Sequence, residues 1–391
     1  MFFSLLWVRF NSEYAQFIKT FFMIVHLFDD QKFVDITIKK FDNLNSEVNR
    51  YIVLSNTQKL KHVTNTKRIT ILSNSSYSID CNLIFNKCNL LVIHFLTPLK
   101  SFIIKQAPSN VKILWSAWGA DFYSQLKDYK IYEEITENLI SNNKYFQFRK
   151  SNIYNLYHFL RYRVFPIKLE KKVLNKIDYL ATVLPYEFDL ITNKLNFSSK
   201  YIDFNYGINY YNDTIEFNLG NNVLIGNSAT YSNNHLDLFD KIKDSNCHFI
   251  CPLNYGGYDF KKYQNRVINA GVNYFNSKIS FIKEFLPKKE YDKILIECNT
   301  AIMFHIRQQA LANIFKLLFI GVRLYLNKNS SLFGYFKENG AIVFTIENNI
   351  NLLGVELSRE EKSKNKLFVK KFNGKVSIDN KYQNIIALGK F

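Results

Sequence analysis

Short apolar runs recur along the chain, and stretches with apolar positions at helical spacing lie between them. Runs at 22–27, 51–54, 67–72, 90–95, 111–115, 179–183 and 201–204 read as strands, with helical spacing at 35–44, 98–106 and 187–195. Residues 131–176 read as mostly helical. A second series then begins, with strands at 223–225, 248–251, 279–281, 301–305 and 323–326 and helices at 235–242, 259–270, 287–299 and 310–320. The run at 111–115 is apolar and partly β-branched, the composition of a buried parallel strand. Strands alternating with helices predict an α/β protein built of two Rossmann-like parallel-sheet domains facing a cleft.

Punctuation divides the two series. Residues 206–221 are rich in Asn and Tyr, carry Gly207 and Gly220 and lack periodicity, so they read as a linker. The expected domains are 23–205 and 222–391, the second including a C-terminal tail. Residues 1–22 are expected to form an extension, since Met23 opens the first strand-like run.

Composition narrows the classes. The chain has 391 residues, 47% hydrophobic and 21% charged, a soluble globular balance at a length that favours two domains. A net charge of +18 favours polyanionic partners: nucleic acid, an anionic membrane surface or phosphorylated small molecules. Lysine is dispersed and no zinc finger, RNA-recognition signature or helix-turn-helix is present, so nucleic acid is not expected. The five cysteines form no CxxC pair and read as reduced thiols of a cytoplasmic protein, and no metal site is expected. No apolar run is long enough to span a bilayer.

Candidate chemistry lies where strands end. In 111–126, VKILWSAWGADFYSQL, Gly119 permits a turn and Asp121 is placed to cap a helix from about Phe122, with Trp115 and Trp118 flanking the turn. Gly226-Asn227-Ser228 combines a flexible turn with small hydrogen-bonding groups suited to phosphate oxygens. Arg307-Gln308-Gln309 precedes a helix, where a guanidinium and free backbone N–H groups would stabilise an anionic leaving group. The motifs GxGxxG, GxxxxGK[ST], GxSxG and HExxH are absent, which disfavours dinucleotide, P-loop, hydrolase-elbow and zincin chemistry. Asp-x-Asp is absent too, so a nucleotide-sugar enzyme here would use protein cations and helix termini in place of a metal.

These segments resemble the bacterial TDP-N-acetylfucosamine:lipid II N-acetylfucosaminyltransferases, glycosyltransferase family 56. The resemblance is carried by the strands holding His26 and His94, by LWSAWGADFY (114–123), LIGNSATYSNNH (224–235) and CPLNYGG (251–257), and by EFLPKKEY (284–291) through FHIRQQALANI (304–314). It implies a GT-B fold, a TDP-type sugar donor, a lipid-linked saccharide acceptor and no metal or other cofactor. It implies a cytoplasmic enzyme working on the inner-membrane face. Matched residue by residue, the donor side would comprise Gly226, Asn227, Ser228, Pro252, Tyr255, Phe285, Leu286, Arg307, Gln308, Gln309 and Asn313. The acceptor side would comprise Trp115, Trp118 and Gly119, with Asp121, His94 or His26 as catalytic base. The chain departs from the family at Ala310 and Ala312, where Gly is usual, and at Ser116, where His is expected. Many GT-B enzymes bind ribose hydroxyls with a Glu five residues before the Gly that ends the donor-domain helix. Here that position is Lys316, which is compatible with a deoxyribose donor such as TDP.

Residues 144–176 interleave Arg and Lys with Tyr and Phe, a pattern suited to a membrane interface. Arg149, Arg161, Arg163, Lys171 and Lys172 are the expected docking cations. Two alternatives stay open: a GT-B enzyme using another nucleotide sugar for O-antigen or capsule, and a non-catalytic relative that binds polyanions.

Overall fold

The computed structural model describes residues 22–60, 63–126, 128–163, 169–207, 217–257 and 259–389. Nearly all of the expected extension at 1–22 and the middle of the expected linker (208–216) lie outside the described residues. The chain forms two compact units.

The first unit holds a seven-stranded parallel sheet. Its strands are β1 (Ile24–Phe28), β2 (Asn49–Leu54), β3 (Ile69–Leu72), β4 (Leu90–His94), β5 (Lys112–Ser116), β6 (Tyr179–Ala181) and β7 (Lys200–Tyr201), in the order β3-β2-β1-β4-β5-β6-β7. Every residue of β1 and β4 is buried, as expected for central strands covered on both faces. The strand order reverses between β1 and β4, so the loops leaving these two strands part and open a crevice at their carboxyl ends.

The second unit repeats the plan with β8 (Asn222–Ile225), β9 (Phe249–Pro252), β10 (Ile279–Ile282), β11 (Cys298–Met303) and β12 (Arg323–Leu326), ordered β10-β9-β8-β11-β12. Its reversal lies between β8 and β11, which pair in parallel with Ile225 opposite Ile302.

Two segments depart from chain order. Residues 128–147 group with the second unit, where the Asp237 carboxylate accepts from Ile135 N (2.7 Å), Thr136 N (3.1 Å) and Thr136 Oγ1 (2.6 Å). That carboxylate caps the amino terminus of helix Glu134–Ser141, an end with no cap of its own. Residues 375–389, expected with the donor domain, group instead with the first unit. There Lys381 pairs with Asp203 (2.8 Å), Asp379 pairs with Lys40 (2.9 Å), and the buried Tyr382 hydroxyl donates to Tyr206 O (3.3 Å).

The helix expected from about Phe122 is a single 3-10 turn, Tyr123–Gln125. Asp121 does not cap it, because that carboxylate is turned toward other donors.

Candidate active site

In the second unit, the loops leaving β8 and β11 lock together side chain to side chain. Gly226 has φ +65°, and a Cβ there would stand 3.0 Å from His235 Nε2 and 3.1 Å from Asn233 Oδ1, so both backbone and space favour glycine. Asn227, next in sequence, is buried; it accepts at Oδ1 from Gln309 Nε2 (2.9 Å) and donates from Nδ2 to Tyr255 Oη (2.8 Å). Gln309 also donates to Thr230 Oγ1 (3.2 Å) and accepts from Ser232 Oγ (2.5 Å). Arg307 donates to Ser232 Oγ (3.3 Å) and to Gln308 O (3.1 Å). Gly-Asn-Ser and Arg-Gln-Gln, about eighty residues apart in sequence, thus form one hydrogen-bonded surface.

Ala310 follows with φ +56° and opens helix Leu311–Ile320. A left-handed alanine costs roughly 1–2 kcal/mol, a strain a glycine would not carry. The helix's first N–H groups are unpaired within it, so this end carries positive potential beside Arg307.

Other donor-side candidates are placed less tightly. Pro252 is buried at the end of β9, while Tyr255 is 43% and Phe285 76% exposed. Leu286 is half-buried, and Asn313 Nδ2 lies 3.5 Å from Tyr291 Oη. Lys316 pairs with Asp292 of helix Lys288–Ile296, and burial lowers its pKa to about 8.

Four atoms around these loops are buried with no partner among the described residues: Asn233 Oδ1, His235 Nε2, His305 Nε2 and Gln308 Oε1. His305 donates from Nδ1 to Arg307 O (3.0 Å), which leaves its Nε2 an acceptor. Burial holds both histidines at a pKa of about 3, hence neutral. Buried polar atoms call for a partner, which here is water or a polar ligand. Sequence reading missed Asn233, His235 and His305; the available signal was their position inside LIGNSATYSNNH and FHIRQQ.

In the first unit, His26 and His94 stand on neighbouring strands and touch, His26 Nδ1 to His94 Nε2 at 3.1 Å. His26 Nε2 meets Asn49 Oδ1 (3.2 Å), and His94 Nδ1 meets the Tyr206 hydroxyl. Trp118 Nε1 donates to that hydroxyl (3.0 Å). Burial holds His26 at a pKa of about 4 and His94 well below its usual range, so both rings are neutral.

Asp121 receives three hydrogen bonds: Leu96 N (3.0 Å) and Trp115 Nε1 (2.9 Å) at Oδ2, and Trp118 N (2.9 Å) at Oδ1. Burial raises its pKa, and these donors oppose the shift. Gly119, φ +97°, makes the turn that brings Trp118 N back to this carboxylate.

The crevice between β1 and β4 has a volume of about 370 Å³ and is lined by Asp29, Asp30, Gln31, Phe95 and Thr97. Beneath it Lys100, fully buried, donates to Asp29 Oδ1 (2.7 Å), Phe95 O (2.9 Å) and His94 O. Burial lowers the lysine's pKa, and Asp29 is the main opposing charge. Among the described residues no three His, Cys, Asp or Glu side chains gather as a metal site.

The docking candidates lie on short helices. Helix Asn152–Tyr162 buries none of its residues, and Ile153, Leu156, Tyr157 and Leu160 are 71%, 56%, 50% and 52% exposed. Arg161 donates to Tyr157 Oη (2.8 Å), Arg149 lies over the Tyr154 ring and Arg163 over the Tyr77 ring. Lys171 and Lys172 are exposed in helix Lys171–Leu174, Lys171 donating to Asn196 O. No helix among the described residues is long and apolar enough to cross a membrane.

Two parallel sheets, each with a loop-lined reversal point, give the chain a GT-B fold, and solved structures share it. Sucrose-phosphate synthase from Thermosynechococcus elongatus superposes with a TM-score of 0.61 at 8% identity, covering 94% of this chain and 98% of its own. HepE of Anabaena in complex with UDP gives 0.60 at 8% identity, with 94% and 100% covered. A glycosyltransferase from Rickettsia africae gives 0.59 at 12% identity, with 94% and 98% covered. The family model for 4-alpha-L-fucosyltransferases, glycosyl transferase group 56, matches residues 152–365, more than half of the chain, and the protein belongs to that family. The match takes in Gly226 through Asn313 and leaves His26, His94 and Trp115 to Asp121 outside it. No match to a curated protein was found.

Proposed function

We propose that this glycosyltransferase moves an amino-deoxy sugar, of the 4-acetamido-4,6-dideoxygalactose type, from a TDP-linked donor to a polyprenyl-diphosphate-linked saccharide. The carrying observation is the interlock of Asn227 with Gln309 (2.9 Å), which fixes Arg307 and the strained turn at Ala310 at one helix amino terminus. A diphosphate leaving there meets a guanidinium and backbone N–H groups already oriented before charge develops. No metal is needed for that stabilisation. Lys316 supports a deoxyribose nucleotide: it stands where a ribose-binding Glu is common and is engaged by Asp292.

The first unit would take the acceptor. An acceptor on a lipid diphosphate calls for docking at an anionic membrane face, the cytoplasmic face of the inner membrane. The exposed stripe Ile153, Leu156, Tyr157 and Leu160 supports this, since residues spaced three and four apart share one side of a helix. Arg149, Arg161 and Arg163 stand close by in sequence, and each basic group near anionic lipid contributes on the order of 1 kcal/mol.

Another nucleotide sugar, serving O-antigen or capsule assembly, is the competing reading. Calorimetric titration with TDP, UDP and GDP separates the two: tightest binding of TDP is expected, and clear preference for UDP or GDP would replace the donor assignment.

A further inference from the structure

A single-displacement transfer needs one base for the acceptor hydroxyl, and three residues singled out from sequence are poorly placed to be it. Both oxygens of Asp121 already accept from protein donors. His26 and His94 are at most 1% exposed, and all four of their ring nitrogens are engaged.

Resting on the proposed glycosyl transfer, taken as a single displacement that inverts C1, we infer that Asp29 is the base, with Lys100 as its positioning residue. Asp29 follows β1 and lines the crevice at the reversal point of the first sheet, its side chain 17% exposed. Oδ1 is held by Lys100 at 2.7 Å; Oδ2 has no partner among the described residues. The neighbouring Asp30 instead accepts from Lys32 N (3.0 Å) and closes the local turn. Lys100 is fully buried and ties Asp29 to the end of β4 through two carbonyls, so the carboxylate is built into the sheet and not left on a loop. Thr97, on the same crevice wall, has its Oγ1 buried without a partner among the described residues.

The step balances without a co-reactant. The acceptor oxygen bonds to C1 of the donor sugar as the C1–O bond to the diphosphate breaks, its electron pair leaving on the diphosphate oxygen. The hydroxyl proton passes to Asp29 Oδ2 and then to water.

The test uses the full-length protein, TDP-4-acetamido-4,6-dideoxygalactose and a synthetic polyprenyl-diphosphate disaccharide. Asp29→Asn keeps an oxygen for Lys100 and removes the basicity, so kcat should fall roughly 10²- to 10⁴-fold while TDP affinity is unchanged. Asp29→Ala should regain turnover with added formate. Lys100→Met should lower kcat without altering the KM for donor, and adding Asp29→Asn to it should cost little more, the non-additivity of residues acting as a unit. Parental kcat in Asp29→Asn overturns the assignment, as does an Asp29→Ala variant that binds TDP but gains nothing from formate. If the parent binds TDP and transfers nothing, the proposed donor and acceptor are wrong and the base assignment falls with them. A transferring parent with a transferring Asp29→Asn condemns the base alone.

Discussion

The 3.1 Å contact between His94 Nε2 and His26 Nδ1 fixes the tautomer of both rings. Asn49 Oδ1 can only accept, so neutral His26 donates to it from Nε2 and accepts at Nδ1 from His94 Nε2. His94 Nδ1 is then left to accept from the Tyr206 hydroxyl, whose oxygen accepts in turn from Trp118 Nε1. Asn49 Nδ2 donates to Asn45 O (2.6 Å), which fixes the amide orientation at the end of the chain. Five side chains thus form a one-directional hydrogen-bond relay with both imidazoles neutral, and protonating His26 at Nδ1 would put two donors face to face.

Stability should therefore fall in mild acid. The folded pKa is depressed, to about 4 at His26 and about 3 at His235 and His305, against an unfolded value of 6.5. Below pH 6.5 the unfolded chain binds protons that the folded chain refuses, so stability is full above that pH and is lost as pH falls toward 4. His26 alone contributes on the order of 3 kcal/mol across this window. Thermal melts at pH 7.5 and 5.0 should show a clear drop in Tm; equal Tm values would contradict neutral buried histidines.

Tyr206→Phe removes the central hydroxyl of the relay and leaves Trp118 Nε1–H and His94 Nδ1 without their partner. The expected loss is about 1–3 kcal/mol, read by urea unfolding. A neutral substitution would mean that the hydroxyl is not bonded as described.

Ala310→Gly should stabilise the protein by up to about 1 kcal/mol, because glycine adopts φ +56° without the steric cost alanine bears. Ala310→Val should destabilise it. Denaturant midpoints decide; a less stable glycine variant would show that the turn carries no strain.

Leu156 and Leu160 are more than half exposed, so Leu156→Glu with Leu160→Glu should leave folding intact. Co-sedimentation with anionic vesicles should then fall, as it should when Arg161, Arg163, Lys171 and Lys172 become Glu. Undiminished binding in both variants would place the membrane surface elsewhere.

The parallel sheets were readable because central strands such as β1 and β4 are apolar at all but one position each, His26 in the middle of β1 and His94 at the end of β4, and the Gly-Asn-Ser and Arg-Gln-Gln loops follow strands of the second sheet. What pattern could not show was partnership across long sequence gaps. Asp121 reads as a helix cap beside Phe122, yet its donors include Leu96 N, twenty-five residues earlier. Nothing in the sequence singles out Lys100 on helix Pro98–Gln106, yet it is fully buried under Asp29. The C-terminal helix Lys375–Leu388 follows the second unit in sequence, but Tyr382 packs into the core of the first.

The central claim is that the interlocked loops of the second unit hold a nucleotide diphosphate through Arg307. Calorimetric titration of TDP into the parent and into Arg307→Ala, both checked for an unchanged melt, tests it most directly. The account predicts saturable binding by the parent and a large loss in the variant, with Arg307→Lys intermediate because it keeps the charge and loses the fork. Equal TDP affinity in the parent and in Arg307→Ala would contradict it.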